Sequence, residues 1–466
     1  MPGFFRRKWV RRLLVAAGVF IAVLVGVRAV WVYLSSSKLS ALIARIEADD
    51  PDWQLDKLTA KRNAGLPPDG QNSFPLAAGV KAKLPASFDD RSTKLYEAFN
   101  RNPAAVLGAE DRATVEELLA ECDPALADAR QLAEMPDGGQ PLTFPANAVQ
   151  FNWGPTQDVR RAASLLLLDA MAAANADKPA DAVRSLRALL NVGRAIGDEP
   201  TMISQLVRSA CVAIARQGTG QVLGLCQPTD ADGLDTLQAE LLREADFPRL
   251  AVAYRGERAI TFQSFAWMTS GRAGAPAPTG IPVLDPIARW GMRSYLPAVQ
   301  HRSLELMTDC LDAARKPFDQ QRAAFKAVPQ PDPNDWRSMM TRLLLPAIEK
   351  TADAGLRTRG ELLAAGAAVA AERYRRKTGT WPASLEALVP EFLPTLPNDP
   401  FTGQPLAFKR LPDGLVIYTV GPDGKDDGGQ VLEAGEGSRV TDFGIRLWDA
   451  DKRRQPPPPG KPEDKP

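Results

Sequence analysis

The chain has 466 residues, of which 57 are Lys or Arg and 56 are Asp or Glu, giving a net charge of +1. This balance supplies no global basic field for nucleic acid. The single histidine, His301, excludes multi-histidine metal sites and leaves one imidazole for acid–base work. A hydrophobic fraction of 45% is ample for a packed core, and 40 prolines predict many loops.

Residues Leu13 to Leu34 are apolar except for Arg28. About 20 such residues cross a bilayer as a helix. Arg28 lies near the far end, where its stem can snorkel to the interface, and Trp31 and Tyr33 follow as interfacial aromatics. Arg6, Arg7, Lys8, Arg11 and Arg12 stand on the near side, which predicts a cytoplasmic N-terminus and an extracytoplasmic body. A cleaved signal peptide is the competing reading. The apolar stretch is long for one, and no small-x-small site precedes Ser35. The exported compartment permits disulfides among Cys122, Cys211, Cys226 and Cys310. Buried free thiols are the alternative, and no C-x-x-C supports zinc or thioredoxin-like chemistry.

Residues 36–60 read as helical, with Leu39, Leu42, Ile43 and Ile46 on one face and Asp49-Asp50-Pro51 as the stop. The Gly, Pro and Asn of 63–90 predict irregular chain, and weaker helices follow near 91–100, 109–120 and 123–134. After a second irregular stretch at 135–157 come three strong helices. These are Asp158–Ala176, Ala180–Ile196 after a Pro179 start, and one opened by Glu199-Pro200. Short connections between them predict antiparallel hairpins in an irregular α-helical domain. Further helices are expected near 230–245, 247–268 and 297–315. A Gly/Pro-rich loop at 269–286 is flanked by Trp267, Trp290 and Tyr295, which read as core aromatics rather than a ligand lid. The stretch 328–336 reads as a linker. A helix from about Arg337 to Lys377 places Leu356, Leu363, Ala370 and Tyr374 on one face, as a helix laid on a sheet would.

Beyond Lys377 the texture changes. Gly379-Thr380-Trp381-Pro382 is a turn, and Ala383–Leu388 is a short helix. Strand-like Leu406–Arg410 and Leu415–Val420 flank a Pro412-Asp413-Gly414 hairpin turn. A glycine-rich acidic loop, 421–429, follows. This run resembles the globular head of the major pseudopilins of type II secretion. The resemblance rests on Tyr374 with Gly379-Thr380-Trp381-Pro382, on Ser384, Leu385 and Leu388, and on Leu396-Pro397-x-Asp399-Pro400 with Gly403 and Pro405. It continues through Tyr418, Gly421, Asp423 and Gly424 to Asp442-Phe443-Gly444. It implies a small α+β domain and a calcium site, which would want six to eight oxygens. The Val420 carbonyl and Asp423 are the best positional matches, with Asp426, Asp427 and Asp442 as looser candidates. The chain departs from pseudopilins at its start, where Arg6-Arg7-Lys8 follows Phe4-Phe5 with no prepilin processing pattern, and its membrane helix is not fused to the head. A reused head, rather than a pilus subunit, is therefore expected. The helical stretch resembles uncharacterised membrane-anchored bacterial envelope proteins, which carry no activity to transfer.

The expected organisation is mainly α. It comprises a cytoplasmic basic segment (1–12), a transmembrane helix (13–34) and an α-helical extracytoplasmic domain (35–327). The linker (328–336), a long helix with the pseudopilin-like α+β domain (337–450) and a disordered Pro-rich tail (451–466) complete it. No G-x-S-x-G, H-E-x-x-H or Walker loop is present. Arg255-Gly256-Glu257-Arg258 offers a buried carboxylate with arginine neighbours, an arrangement more often structural than catalytic. The expected role is a non-enzymatic, membrane-anchored interaction or scaffold protein of the envelope, linked to a secretion or pilus-like assembly and its protein partners. The alternative is an envelope hydrolase using carboxylates of the helical domain.

Overall fold

The computed structural model describes residues 3–100, 102–270, 285–329, 332, 334, 348–431 and 442–457. Most of the 269–286 loop, most of the 328–336 linker, positions 337–347 of the expected long helix and residues 458–466 of the tail lie outside them.

The first helix, α1 (Gly3–Asp49), is unbroken. Its apolar portion is long enough to cross a membrane, and its most apolar 18-residue window has no buried residue. Its far half turns one stripe inward, with Leu42 and Ile46 buried against Trp53 and Leu304. Helix α1 stops where Pro51 forbids continuation. Asp50 is then fixed by three guanidinium bonds, two from Arg255 (2.8 and 2.6 Å) and one from Arg258 (2.6 Å). Burial opposes its charge, but these arginines prevail and hold the carboxyl below its usual range.

Helix α2 (Leu55–Ala64) leads to α3 (Ser73–Gly79), inside the stretch read as irregular. The signal there is Asn72, whose side chain accepts the Phe74 amide at 3.1 Å and caps the helix. Helices α4 (Phe88–Asn100), α5 (Ala109–Glu121) and α6 (Asp123–Gln131) follow near the expected places. The centre is a set of antiparallel hairpins formed by α7 (Gly154–Asn175), α8 (Pro179–Arg194) and α9 (Met202–Leu225). Leu165 to Leu168 are all buried in α7. Each fully buried leucine contributes about 1.5–3 kcal/mol. Next come α10 (Leu234–Ala245), α11 (Arg249–Ser270), α12 (Asp285–Ala314) and α13 (Phe318–Ala327).

The described part of the long helix is α14 (Ile348–Thr378). A one-sided helix on a sheet was the expectation. Instead, residues 360–372 are buried on every face. Helices α9 and α10 cover one side and the sheet the other. The small side chains of Ala364, Ala365, Gly366, Ala367 and Ala368 permit this sandwiching. A Cβ on Gly360 would stand 2.8 Å from the Thr419 side chain.

The sheet has three antiparallel strands in sequence order, β1 (Ala407–Leu411), β2 (Gly414–Thr419) and β3 (Phe443–Trp448). The expected hairpin turn holds, with Leu411 facing Gly414. The short helix expected at 383–388 is a single 3-10 turn, Glu386–Leu388. The architecture is thus mainly helical with a small C-terminal sheet. One cluster of buried apolar residues runs from Phe74 to Leu447 and joins the helical hairpins to that sheet.

The tail differs from the disorder expected from Asp451 onward. Arg453 is 5% exposed. It donates to both oxygens of Glu372 (3.0 and 2.7 Å) and to the Cys226 carbonyl (2.6 Å). Arg454 reaches the carbonyls of Ala174 and Asn175, and Gln455 exchanges backbone bonds with the Ala104–Val106 segment. Paired arginines, not apolar residues, pin this stretch, which is why a composition reading misses it. All four cysteines are free and buried.

Candidate functional site

Two places carry chemistry. The first is the acidic loop after β2. Asp426 accepts the Tyr418 hydroxyl at 2.7 Å and the Gly428 amide at 2.8 Å. Asp423 accepts the Lys425 amide at 3.1 Å. Asp442, fully buried, accepts the Gly429 amide at 2.8 Å through Oδ2, while Oδ1 has no hydrogen-bond partner among the described residues. Burial pushes the Asp442 carboxyl up. The Val420 amide donates to Asp399 at 2.9 Å, and Asp399 also takes the Thr419 hydroxyl and the Phe401 amide. Asp427 lies in the glycine-rich turn between Asp426 and Gly428. The structure thus gathers Asp426 and Asp442 around the Gly428-Gly429 backbone. Among the described residues no group of three or more His, Cys, Asp or Glu converges as a metal site.

The second is a cleft of about 710 Å3 in the helical body, which the sequence did not reveal. Its walls come from α2, the 136–138 segment, the α8–α9 connection and the α10–α11 connection. Two glycines make this junction close. Gly197 has φ +64°, and a Cβ there would lie 2.5 Å from the Gly138 carbonyl. Gly256 brings α11 against the start of α9, where a Cβ would stand 1.6 Å from the Pro200 carbonyl oxygen.

At the cleft's base lies Glu244, 1% exposed. Arg208 donates to both its oxygens through Nε (2.9 Å) and Nη2 (2.6 Å), and to the Gly197 carbonyl through Nη1 (2.8 Å). The Arg208 guanidinium also lies 3.5 Å above the Phe247 ring. Arg249 Nη2 adds 3.1 Å bonds to the Glu244 carboxylate and carbonyl. Arg194 approaches at 3.9 Å and donates to Asn191 at 2.9 Å. Burial opposes the Glu244 charge, but Arg208 and Arg249 outweigh it and hold the carboxyl low. Burial likewise pulls the Arg249 guanidinium down. Three buried guanidiniums therefore face one buried carboxylate.

Higher on the wall, Arg62 is 8% exposed. Its Nη1 donates to the Gln140 carbonyl at 2.6 Å and its Nε lies 2.9 Å from Asp198. Its Nη2 has no hydrogen-bond partner among the described residues. Six basic side chains line the cleft against four acidic ones. Leu58, Leu66, Phe247 and Val252 add apolar wall, and Pro67, Pro136, Pro200 and Pro248 stiffen it.

Of the residues singled out in the helical region, Arg255 lines this cleft. Glu257 does not line it. Its Oε1 takes the Met202 amide at the start of α9 at 2.8 Å, and burial pushes the carboxyl up. The flanking Arg255 and Arg258 pair with Asp50 instead. Glu199, also raised by burial, is bonded to Gln140 and Thr156. Sequence reasoning missed Arg62, Arg194, Arg249 and Glu244. They come from four separate segments and share no local motif. No family model, curated protein or solved structure matches the chain.

Proposed function

We propose that this protein is a membrane-anchored, non-enzymatic interaction protein of the bacterial envelope, whose body holds an acidic segment of a protein partner in the arginine-lined cleft. The observation that carries this reading is the charge imbalance at the base, where Arg194, Arg208 and Arg249 meet Glu244 alone. Burying unmatched cations costs several kcal/mol each, and an incoming carboxylate offsets that cost. The apolar walls suit the flanking side chains of a peptide. Glu244 acts as a charge partner rather than an acid or base, because both its oxygens are occupied by arginine. The long helix carrying a three-stranded antiparallel sheet supports the pseudopilin-like part of the reading and a link to a secretion or pilus-like assembly. Calcium in the loop after β2 belongs to the same proposal, supported by the Asp442 Oδ1, which has no hydrogen-bond partner among the described residues.

The test is calorimetry on the full chain in detergent micelles, titrated with a short Asp/Glu-rich peptide containing leucine or phenylalanine. Saturable binding is expected. It should weaken as salt rises and fall at least about tenfold in Arg194→Gln, the loss of roughly one charge-assisted hydrogen bond. Equal affinity in wild type and variant, or saturation by inorganic phosphate alone, overturns the peptide-binding role.

A further inference from the structure

Helix α1 is uniformly exposed from Trp9 to Val27. From Arg28 onward a stripe is covered. Arg28, Val32 and Leu39 are half-buried, and Ser35, Leu42 and Ile46 are buried. The spacing alternates between three and four, which is the seam of two helices lying side by side. The covering helix is α12. Arg28 donates through Nε to the Ser294 hydroxyl (2.6 Å) and through Nη2 to the Trp290 carbonyl (3.0 Å). Its guanidinium lies 3.6 Å above the Trp290 ring. Further along, Leu42 and Ile46 meet Leu304, and Asp49 pairs with Arg315 at 2.9 Å. The two helices therefore run parallel and nearly in step.

This fixes a height. Counted from Leu13, the first residue past Arg11 and Arg12, about 20 residues at 1.5 Å each reach the roughly 30 Å hydrocarbon thickness of a bilayer at Val32. Arg28 does not need to snorkel from inside the span, because α12 already supplies its hydrogen bonds. The far end of the hydrocarbon then falls between Arg28 and Leu34, beside Trp31 and Tyr33. The first turns of α12 stand at that same level, with Trp290 and Tyr295 each 53% exposed. On α1 beside them, Trp31 is 39% and Tyr33 73% exposed. Four accessible aromatics on two helices occupy one band. Trp and Tyr favour the headgroup region, where the ring is buried and the polar edge remains wet.

We propose that the beginning of α12 is a second membrane contact, which seats the body directly on the outer leaflet beside its anchor. The occupant of this surface is the lipid headgroup layer, continuous with the bilayer that α1 crosses. The proposal rests on the membrane-anchor reading.

Spin labels at single introduced cysteines test it in the full chain, reconstituted in phosphatidylcholine/phosphatidylglycerol nanodiscs. The native thiols are buried, with Cys211 and Cys310 pushed up to about 12, so they resist labelling. Labels would be placed in Trp290→Cys, Tyr295→Cys, Val27→Cys and, as an exposed control on the body, Glu116→Cys. The expected result is an oxygen-to-nickel-chelate accessibility ratio at 290 and 295 several-fold above that at 116 and approaching that at 27. Water-like ratios at 290 and 295, with Val27→Cys still lipid-protected, overturn this contact and leave the anchor standing. A water-like ratio at 27 as well overturns the anchor itself. Because Trp290 touches Arg28, Tyr295→Cys decides the matter if Trp290→Cys does not fold.

Discussion

Glu372 shows how one buried charge fastens distant parts of this chain. It sits fully buried on α14, accepts Arg375 from its own helix and is clasped by Arg453 from beyond β3. Burial disfavours its charge, yet Arg453 and Arg375 outweigh that and hold the carboxyl below its ordinary value. A carboxylate depressed in the folded state contributes stability that is present above its unfolded pKa of about 4.3 and is lost as pH falls through the folded value. Asp50 and Glu244 follow the same direction. Stability should therefore decline on acidification below about pH 4. Removing one partner of a buried pair leaves the other uncompensated, so Arg453→Ala should cost about 3 kcal/mol at pH 7. The variant should also lose less than the wild type between pH 5 and pH 3, because Glu372 is then less depressed. Urea unfolding followed by circular dichroism at the three pH values measures both effects. A variant with unchanged stability at pH 7 would show that the clasp is not a structural bond.

At the scale of elements, the acidic loop after β2 is held by its own carboxylates. Asp423 and Asp426 bond backbone amides within two residues, as Asx turns do. Asp442 instead reaches across from the start of β3, and its Oδ1 has no hydrogen bond among the described residues. A buried unsatisfied carboxylate oxygen is costly. Calcium bound there should therefore depend most on this residue. Calorimetric titration of the full chain with calcium should show saturable binding that disappears in Asp442→Asn. Heat at the dilution level in the wild type would assign the loop a structural role alone. Element existence was mostly legible in sequence. The hairpins of α7 to α9 follow from apolar spacing and proline starts, and the β1–β2 turn from Pro412-Asp413-Gly414. Helix α3 was not legible, because its signal is the Asn72 cap rather than a periodic face.

For the molecule as a whole, the decisive feature is the shared core. Leu385, Leu415, Ile417 and Leu447 of the C-terminal region belong to the same buried cluster as the leucines of α7 and α8. Helix α14 is the link, its residues 360–372 buried on all sides between the hairpins and the sheet. Residues that share one core unfold together. The described body should accordingly melt in a single transition, with equal calorimetric and van't Hoff enthalpies in micelles. Two resolved transitions would show the C-terminal region folding independently.

The sequence by itself determined the long apolar N-terminal helix, the helical class, the hairpin periodicities and the strand–turn–strand near the end. Each of these is written in the spacing of neighbouring residues, where local geometry and the period of burial suffice. The tertiary structure alone decided that α14 is enclosed rather than laid on one surface and that the tail is clamped at Arg453. It also decided that Arg194, Arg208 and Arg249 meet around Glu244. These depend on charges and small side chains far apart in the chain. Their partners are chosen by packing, and no local pattern records that choice.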